Sequence, residues 1–88
     1  MIPEKINLLD EIFKNKIQLV IRPIEGHTDD TVLLSVATQG YVLNQKLNLK
    51  TFDYLQDPEI GLVATISQQI DILLADIKRG TAKKYVGN

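Results

Sequence analysis

The chain has 88 residues, of which 44% are hydrophobic and 24% are charged, and its formal net charge is −1. This length allows one folded domain, and the near-zero charge argues against binding to nucleic acid or anionic membrane through whole-molecule charge. The absence of cysteine excludes disulfides, thiolate nucleophiles and cysteine-based zinc sites.

The first predicted element is an amphipathic helix over residues 3–14. Pro3 fits the first helical position. Apolar residues then recur at spacings of three and four from Ile6 to Phe13, which is the periodicity of one helix face. Asn15 is expected to close this helix.

Three segments of alternating polarity predict three β-strands over residues 17–22, 31–38 and 41–50. A polar loop joins the first two strands, and Gly40 suits a short hairpin turn between the second and third. Because parallel neighbours need long crossover connections, these strands should form an antiparallel meander.

The second predicted helix has the clearest local signals in the chain. Asp57 suits an N-cap, Pro58 suits the first helical position, and Gly80 is the expected stop. The resulting α-β-β-β-α order predicts one α+β domain over residues 1–80. It has two layers, a three-stranded antiparallel meander covered on one face by two helices. Residues 81–88 are expected to be a flexible basic tail.

The sequence contains few residue patterns that indicate catalysis. The only histidine, His27, lies in the loop between the first two strands, and Ser35 lies within a strand instead of on a nucleophile turn. His27 could bind a metal ion together with Asp29 or Asp30, but a solvated loop is the favoured interpretation. We therefore predict no enzyme activity, no catalytic residue, no cofactor and no metal.

One face of the predicted sheet stays uncovered when both helices pack on the other face, and its charged members are all basic. Apolar side chains lie at its centre, and it carries no aromatic residue on which a base could stack. Two further basic residues end the second helix. The predicted partner-binding residues are Val20, Arg22, Leu33, Val42, Lys46, Lys50, Lys78 and Arg79.

The second helix also carries an apolar seam whose residues are three and four positions apart, which is typical of two packed helices. The seam consists of Val63, Ile66, Ile70, Leu73 and Ile77. It could pack on the chain's own sheet and first helix, or on the same helix of a second copy. Because more aliphatic residues lie beside it, the sequence favours self-association through this seam.

These features predict a small interaction protein that binds another protein, as a homodimer. The alternative is a nucleic-acid-binding protein that uses the basic C-terminal end, with Lys83 and Lys84, and the basic sheet face. The longest uninterrupted apolar run covers only residues 72–75, so no membrane span is expected. A cytoplasmic location is the default expectation.

Overall fold

The computed structural model describes residues 3–85, which contain two α-helices and four β-strands. A 3-10 helix, Leu49–Tyr54, connects the third strand to the second helix. The other elements are α1 (Pro3–Asn15), β1 (Gln18–Pro23), β2 (Thr31–Thr38), β3 (Tyr41–Asn48), α2 (Pro58–Arg79) and β4 (Lys83–Lys84). The predicted α+β class and the α-β-β-β-α order are confirmed, and β4 is an addition to them.

The four strands form one antiparallel sheet in the order β1-β2-β3-β4. Its tightest connection is the two-residue turn Gln39-Gly40, with φ values of 55° and 82°. Positive φ at both central positions defines the type I′ turn, whose twist matches that of the flanking strands. The predicted role of Gly40 is therefore confirmed.

Both helices end in the same hydrogen-bonded motif. After α2, the Gly80 N–H donates to the Ile77 carbonyl and the Thr81 N–H to the Asp76 carbonyl. This pair of hydrogen bonds is the Schellman motif, in which the residue after the helix adopts the left-handed conformation. After α1 the corresponding bonds run from residue 16 to residue 13 and from residue 17 to residue 12. The left-handed position there is held by Lys16, with φ of 53°.

The hydrophobic core lies between the sheet and the two helices. On β2 every second residue is buried, from Val32 to Thr38, because these side chains point toward α2, which packs on β2 and β3. The seam of α2 faces the same space, and Ile70 and Leu73 have 0% and 1% of their surface exposed. Of the two alternatives for this seam, the structure has the intramolecular one. The chain's own sheet and first helix pack against these side chains, and self-association through the seam stays a prediction.

The end of β3 differs from the prediction. Alternation in the sequence continues to Lys50, but the strand ends at Asn48. The Asn48 side chain accepts a hydrogen bond from the Lys50 N–H at 3.0 Å and so caps the 3-10 helix. The Lys50 N–H thus bonds to a nearby side chain, and this local hydrogen bond competes with continued strand pairing.

Residues 81–88 are predicted as a flexible basic tail, and in the structure Lys83 and Lys84 of this segment pair with β3. Tyr41 and Val42 of β3 pair with Lys84 and Lys83. The Tyr85 N–H also donates to the Gly40 carbonyl at 2.7 Å. Residues 86–88 lie outside the described residues.

Among the helices that the structure describes, α2 is long and apolar enough to cross a membrane by length and composition alone. The sequence prediction missed this because it considered only uninterrupted apolar runs, whereas α2 intersperses polar residues among its aliphatic ones. In the folded domain the apolar seam lies in the core, while 22% of the apolar window of α2 is buried. The compact shape, with a radius of gyration of 13.6 Å, suggests a soluble protein.

Candidate functional site

The face of the sheet opposite the helices is the candidate binding surface, and we call it the open face. Because side chains alternate along each strand, the register defines its members. They are Gln18, Val20, Arg22, Thr31, Leu33, Ser35, Ala37, Val42, Asn44, Lys46, Asn48 and Lys83. On β2 these residues are half-buried by their neighbours within the sheet, whereas the alternate residues are buried by the helices.

One row across the open face places a leucine between two basic residues. Arg22 pairs with Leu33, and Leu33 pairs with Lys46. Two strand spacings separate the Cα atoms of the basic residues by roughly 9.6 Å. Arg22 and Lys46 are exposed and Leu33 is half-buried, so the row presents an apolar centre with a cation on each side.

The neighbouring rows extend this surface with small and aliphatic side chains. Val20, Ser35 and Asn44 form the adjacent row, in which the Ser35 Oγ donates to the Asn44 Oδ1 at 2.6 Å. Ala37 and Val42 pair in the row beyond. The hydroxyl of Ser35 is therefore engaged within the sheet, and the rows between the basic residues carry neutral side chains.

Lys83 is a member of the open face that the sequence did not predict. Its pairing with Val42 places its side chain on the same side of the sheet as Val42. The three charged residues of the open face, Arg22, Lys46 and Lys83, are thus all basic, and no carboxylate belongs to its rows. A two-residue strand has no periodicity of its own, so no sequence signal could have identified this position.

Three predicted binding residues lie away from the open face. Lys50 belongs to the 3-10 helix, and its Nζ lies 3.4 Å from the Asp30 Oδ2. Lys78 and Arg79 end α2 in the helical layer, where Arg79 is paired with Asp76. The structure therefore brings together Val20, Arg22, Leu33, Val42 and Lys46.

Two shallow pockets lie along the sheet near β4. The first, of about 180 Å³, is lined partly by Gln18, Ala37 and Tyr85 at the hairpin end of the open face. The second, of about 200 Å³, lies between Val42 and Thr81. Both are smaller than the roughly 300 Å³ at which small-molecule sites begin.

The loop that carries His27 shows no assembled ligand set in the part of the chain that the structure describes. No three of its histidine, aspartate and glutamate residues lie close enough to hold a metal ion. His27 is exposed, and its N–H donates to the Ile24 carbonyl in a turn. Asp30 is paired with Lys50. These contacts are those of a solvated connecting loop.

Comparisons of the chain with protein-family models, with curated proteins and with solved structures find no significant match.

Proposed function

We propose that the chain is a non-enzymatic binding module that docks an acidic segment of another protein on the open face. The observation that carries this proposal is the row in which Arg22 and Lys46 flank Leu33 on a face without carboxylates. Opposite charge across an interface steers association and suppresses wrong partners. The cysteine-free composition supports a cytoplasmic site of action as part of the same proposal.

The aliphatic side chains of the open face favour a protein partner over a nucleic acid. Protein interfaces combine apolar and polar side chains, and here Leu33, Ala37 and Val42 share the face with polar and basic residues. Proteins that bind single-stranded nucleic acids combine a positively charged groove with aromatic rings on which bases stack, and the strand rows of this face contain no aromatic side chain.

One observation supports nucleic-acid binding as a second candidate. Tyr85 is 55% exposed and lines the pocket at the hairpin end of the open face, with Lys16 also in its lining. A tyrosine beside basic residues could stack one base while cations contact phosphates. This candidate requires the binding site to lie at the β4 end of the face, whereas the first requires the row of Leu33.

The test is an NMR titration of the chain with two defined probes, a peptide of alternating glutamate and leucine and a single-stranded oligonucleotide. We expect the peptide to shift the amide signals of Leu33, Val42 and Lys46, and to bind more weakly as salt is added. Lys46→Glu should weaken peptide binding by at least about tenfold, because it places a carboxylate where the probe carries its own. Lys14→Glu, an equal charge change on α1, is the matched control.

Two results would contradict the proposal. One is peptide binding that is equal in Lys46→Glu and in Lys14→Glu. The other is an absence of signal shifts on the open face at low salt. Shifts confined to Tyr85 and its neighbours on addition of the oligonucleotide would favour the second candidate.

A further inference from the structure

Four of the eight exposed large apolar side chains in the described residues belong to α1 and β1. Leu9 and Phe13 of α1 are 44% and 75% exposed, and Val20 and Ile21 of β1 are 49% and 44% exposed. Glu11 faces Ser67 and Asp71 of α2. Helical geometry therefore places Leu9 and Phe13 on the side of α1 turned away from α2. We call these four exposed apolar residues, with the unpaired side of β1, the β1 edge.

Two hydrogen bonds show which backbone groups of β1 point outward. The Leu49 N–H donates to the Asp30 carbonyl in the β2–β3 register, and the Tyr85 N–H donates to the Gly40 carbonyl in the β3–β4 register. Bonded pairs alternate along an antiparallel ladder. Even-numbered residues of β2 therefore bond to β3, and odd-numbered ones bond to β1.

The same alternation continues onto β1. Its residues 18, 20 and 22 pair with odd-numbered residues of β2, so their backbone groups turn inward. Leu19, Ile21 and Pro23 turn theirs outward. Proline has no N–H, and the Ile17 N–H is already donated to the Ile12 carbonyl. The outer side of β1 thus offers two free donors, those of Leu19 and Ile21, which have no backbone partner among the described residues.

We propose that a second copy of the chain pairs antiparallel with the β1 edge, with Val20 opposite Val20 of that copy. In this register Leu19 pairs with Ile21 of the second copy, and each pair exchanges both backbone hydrogen bonds. In this register the donor-free Pro23 of one copy lies opposite Ile17 of the other, whose N–H is already donated within its own chain. The two free donors of each copy thus fall in the two central pairs, where each meets an outward carbonyl group.

The side chains also complement one another under this two-fold symmetry. The exposed Val20 meets its own copy on the open face, and Ile21 meets Leu19 on the helical face. Gln18 lies opposite Arg22, so no like charges face each other across β1.

This assembly joins two four-stranded sheets into a continuous one and covers the edge that would otherwise remain a template for aggregation. It is independent of the proposed partner binding, because its bonds come from the strand edge and not from the row of Leu33. In the dimer the two open faces become one surface, with the two copies of Arg22 near its middle.

Single cysteines test the register directly, because the chain has none of its own. Val20→Cys should form an intermolecular disulfide readily, since facing residues of a non-bonded antiparallel pair have Cα atoms about 4.5 Å apart, within the range that disulfides span. The matched control is Gln18→Cys, two residues away on the same edge and face. Its two copies would lie roughly 14 Å apart and should not cross-link.

A mixture of Gln18→Cys with Arg22→Cys chains should cross-link, although neither variant does so alone. The expected pattern is therefore a disulfide dimer for Val20→Cys and for the mixture. Equal cross-linking of Val20→Cys and Gln18→Cys would overturn the proposed register.

Sedimentation of the unmodified chain over a wide range of concentration supplies the second measurement. We expect a monomer–dimer equilibrium that Ile21→Pro weakens by at least about tenfold, because it removes an outward donor without removing a bond to β2. The control is Ile72→Arg, at an exposed apolar position on α2, which should keep the monomer–dimer equilibrium of the wild-type chain. A chain that is monomeric at every concentration, or a dimer that Ile21→Pro leaves intact, would overturn the proposal.

Discussion

Glu11 of α1 and Asp71 of α2 are two carboxyl groups that share a hydrogen bond across the helix–helix contact. Burial, the hydrogen bond and the charge of Asp71 together raise the pKa of Glu11 from 4.5 to about 7, while a hydrogen bond from Ser67 acts in the opposite direction. The folded chain therefore holds a proton at this contact at pH values at which the unfolded chain has lost it.

The first prediction concerns the pH dependence of stability. Because the pKa of Glu11 is higher in the folded state, its contribution is fully present below about pH 4.5 and is lost as the pH rises through about 7. Glu11→Gln should remove this dependence and, allowing for solvent screening, stabilise the chain by about 1 kcal/mol above pH 7. Urea unfolding across this pH range measures it. Asp10→Asn, at the exposed neighbouring position, should retain the wild-type dependence, and an unchanged profile in Glu11→Gln would contradict the prediction.

The second prediction concerns the left-handed residue after α1. Lys16 has φ of 53° at the position that glycine usually occupies in this motif. Lys16→Gly should therefore raise the free energy of unfolding by about 0.5–1 kcal/mol. Lys14→Gly, inside the last turn of the helix, should lower it by about 0.5–1 kcal/mol. Chemical unfolding of both variants gives the comparison, and a loss of stability in Lys16→Gly would count against it.

The third prediction concerns the buried hydroxyl of Thr38, which donates to the Asn15 carbonyl at 2.7 Å and ties β2 to the end of α1. Thr38→Val keeps the shape of the side chain but leaves that carbonyl without this donor, and should cost about 1 kcal/mol. Thr31→Val is the control, because its hydroxyl makes only an exposed contact with Thr28. Similar losses of stability in the two variants would show that the buried bond contributes nothing specific.

The fourth prediction separates core packing from self-association in α2. Ile70 is fully buried within its own chain, so Ile70→Ala should lower the free energy of unfolding by about 2–5 kcal/mol. The loss should be the same at low and at high protein concentration. Ile72→Ala, at an exposed position, should cost less than about 1 kcal/mol. A loss of stability in Ile70→Ala that appears only at high protein concentration would instead indicate that the seam is a contact between two copies.

The ends of α2 could be predicted from the sequence because local chemistry determines them. The Asp57 carboxylate accepts the N–H groups of Glu59 and Ile60 at 3.1 and 3.2 Å, and Gly80 adopts the left-handed conformation that ends the helix. Both effects act within four residues, so they need no knowledge of the tertiary structure. The open face followed from strand alternation for the same reason.

Features that depend on contacts between residues far apart in the chain could not be predicted from local sequence patterns. Lys83 reaches the open face only because β4 pairs with β3, and a two-residue strand leaves no pattern in the sequence. Lys50 continued the alternation of β3, but its pairing with Asp30 and the cap at Asn48 place it elsewhere. The seam of α2 had the spacing of a helix–helix contact, and that spacing does not distinguish a sheet from a second helix as the surface it packs on.

The two connections within the three-stranded meander differ in how they would accommodate added residues. The turn Gln39-Gly40 sets the register of β2 and β3, so one extra residue there would reverse the faces of β3 and bring Lys46 toward the core side. The loop over residues 24–30 is held by short local turns and is mostly exposed. A reporter peptide or an affinity handle therefore belongs in that loop, where the polypeptide can lengthen while the strand pairing is preserved.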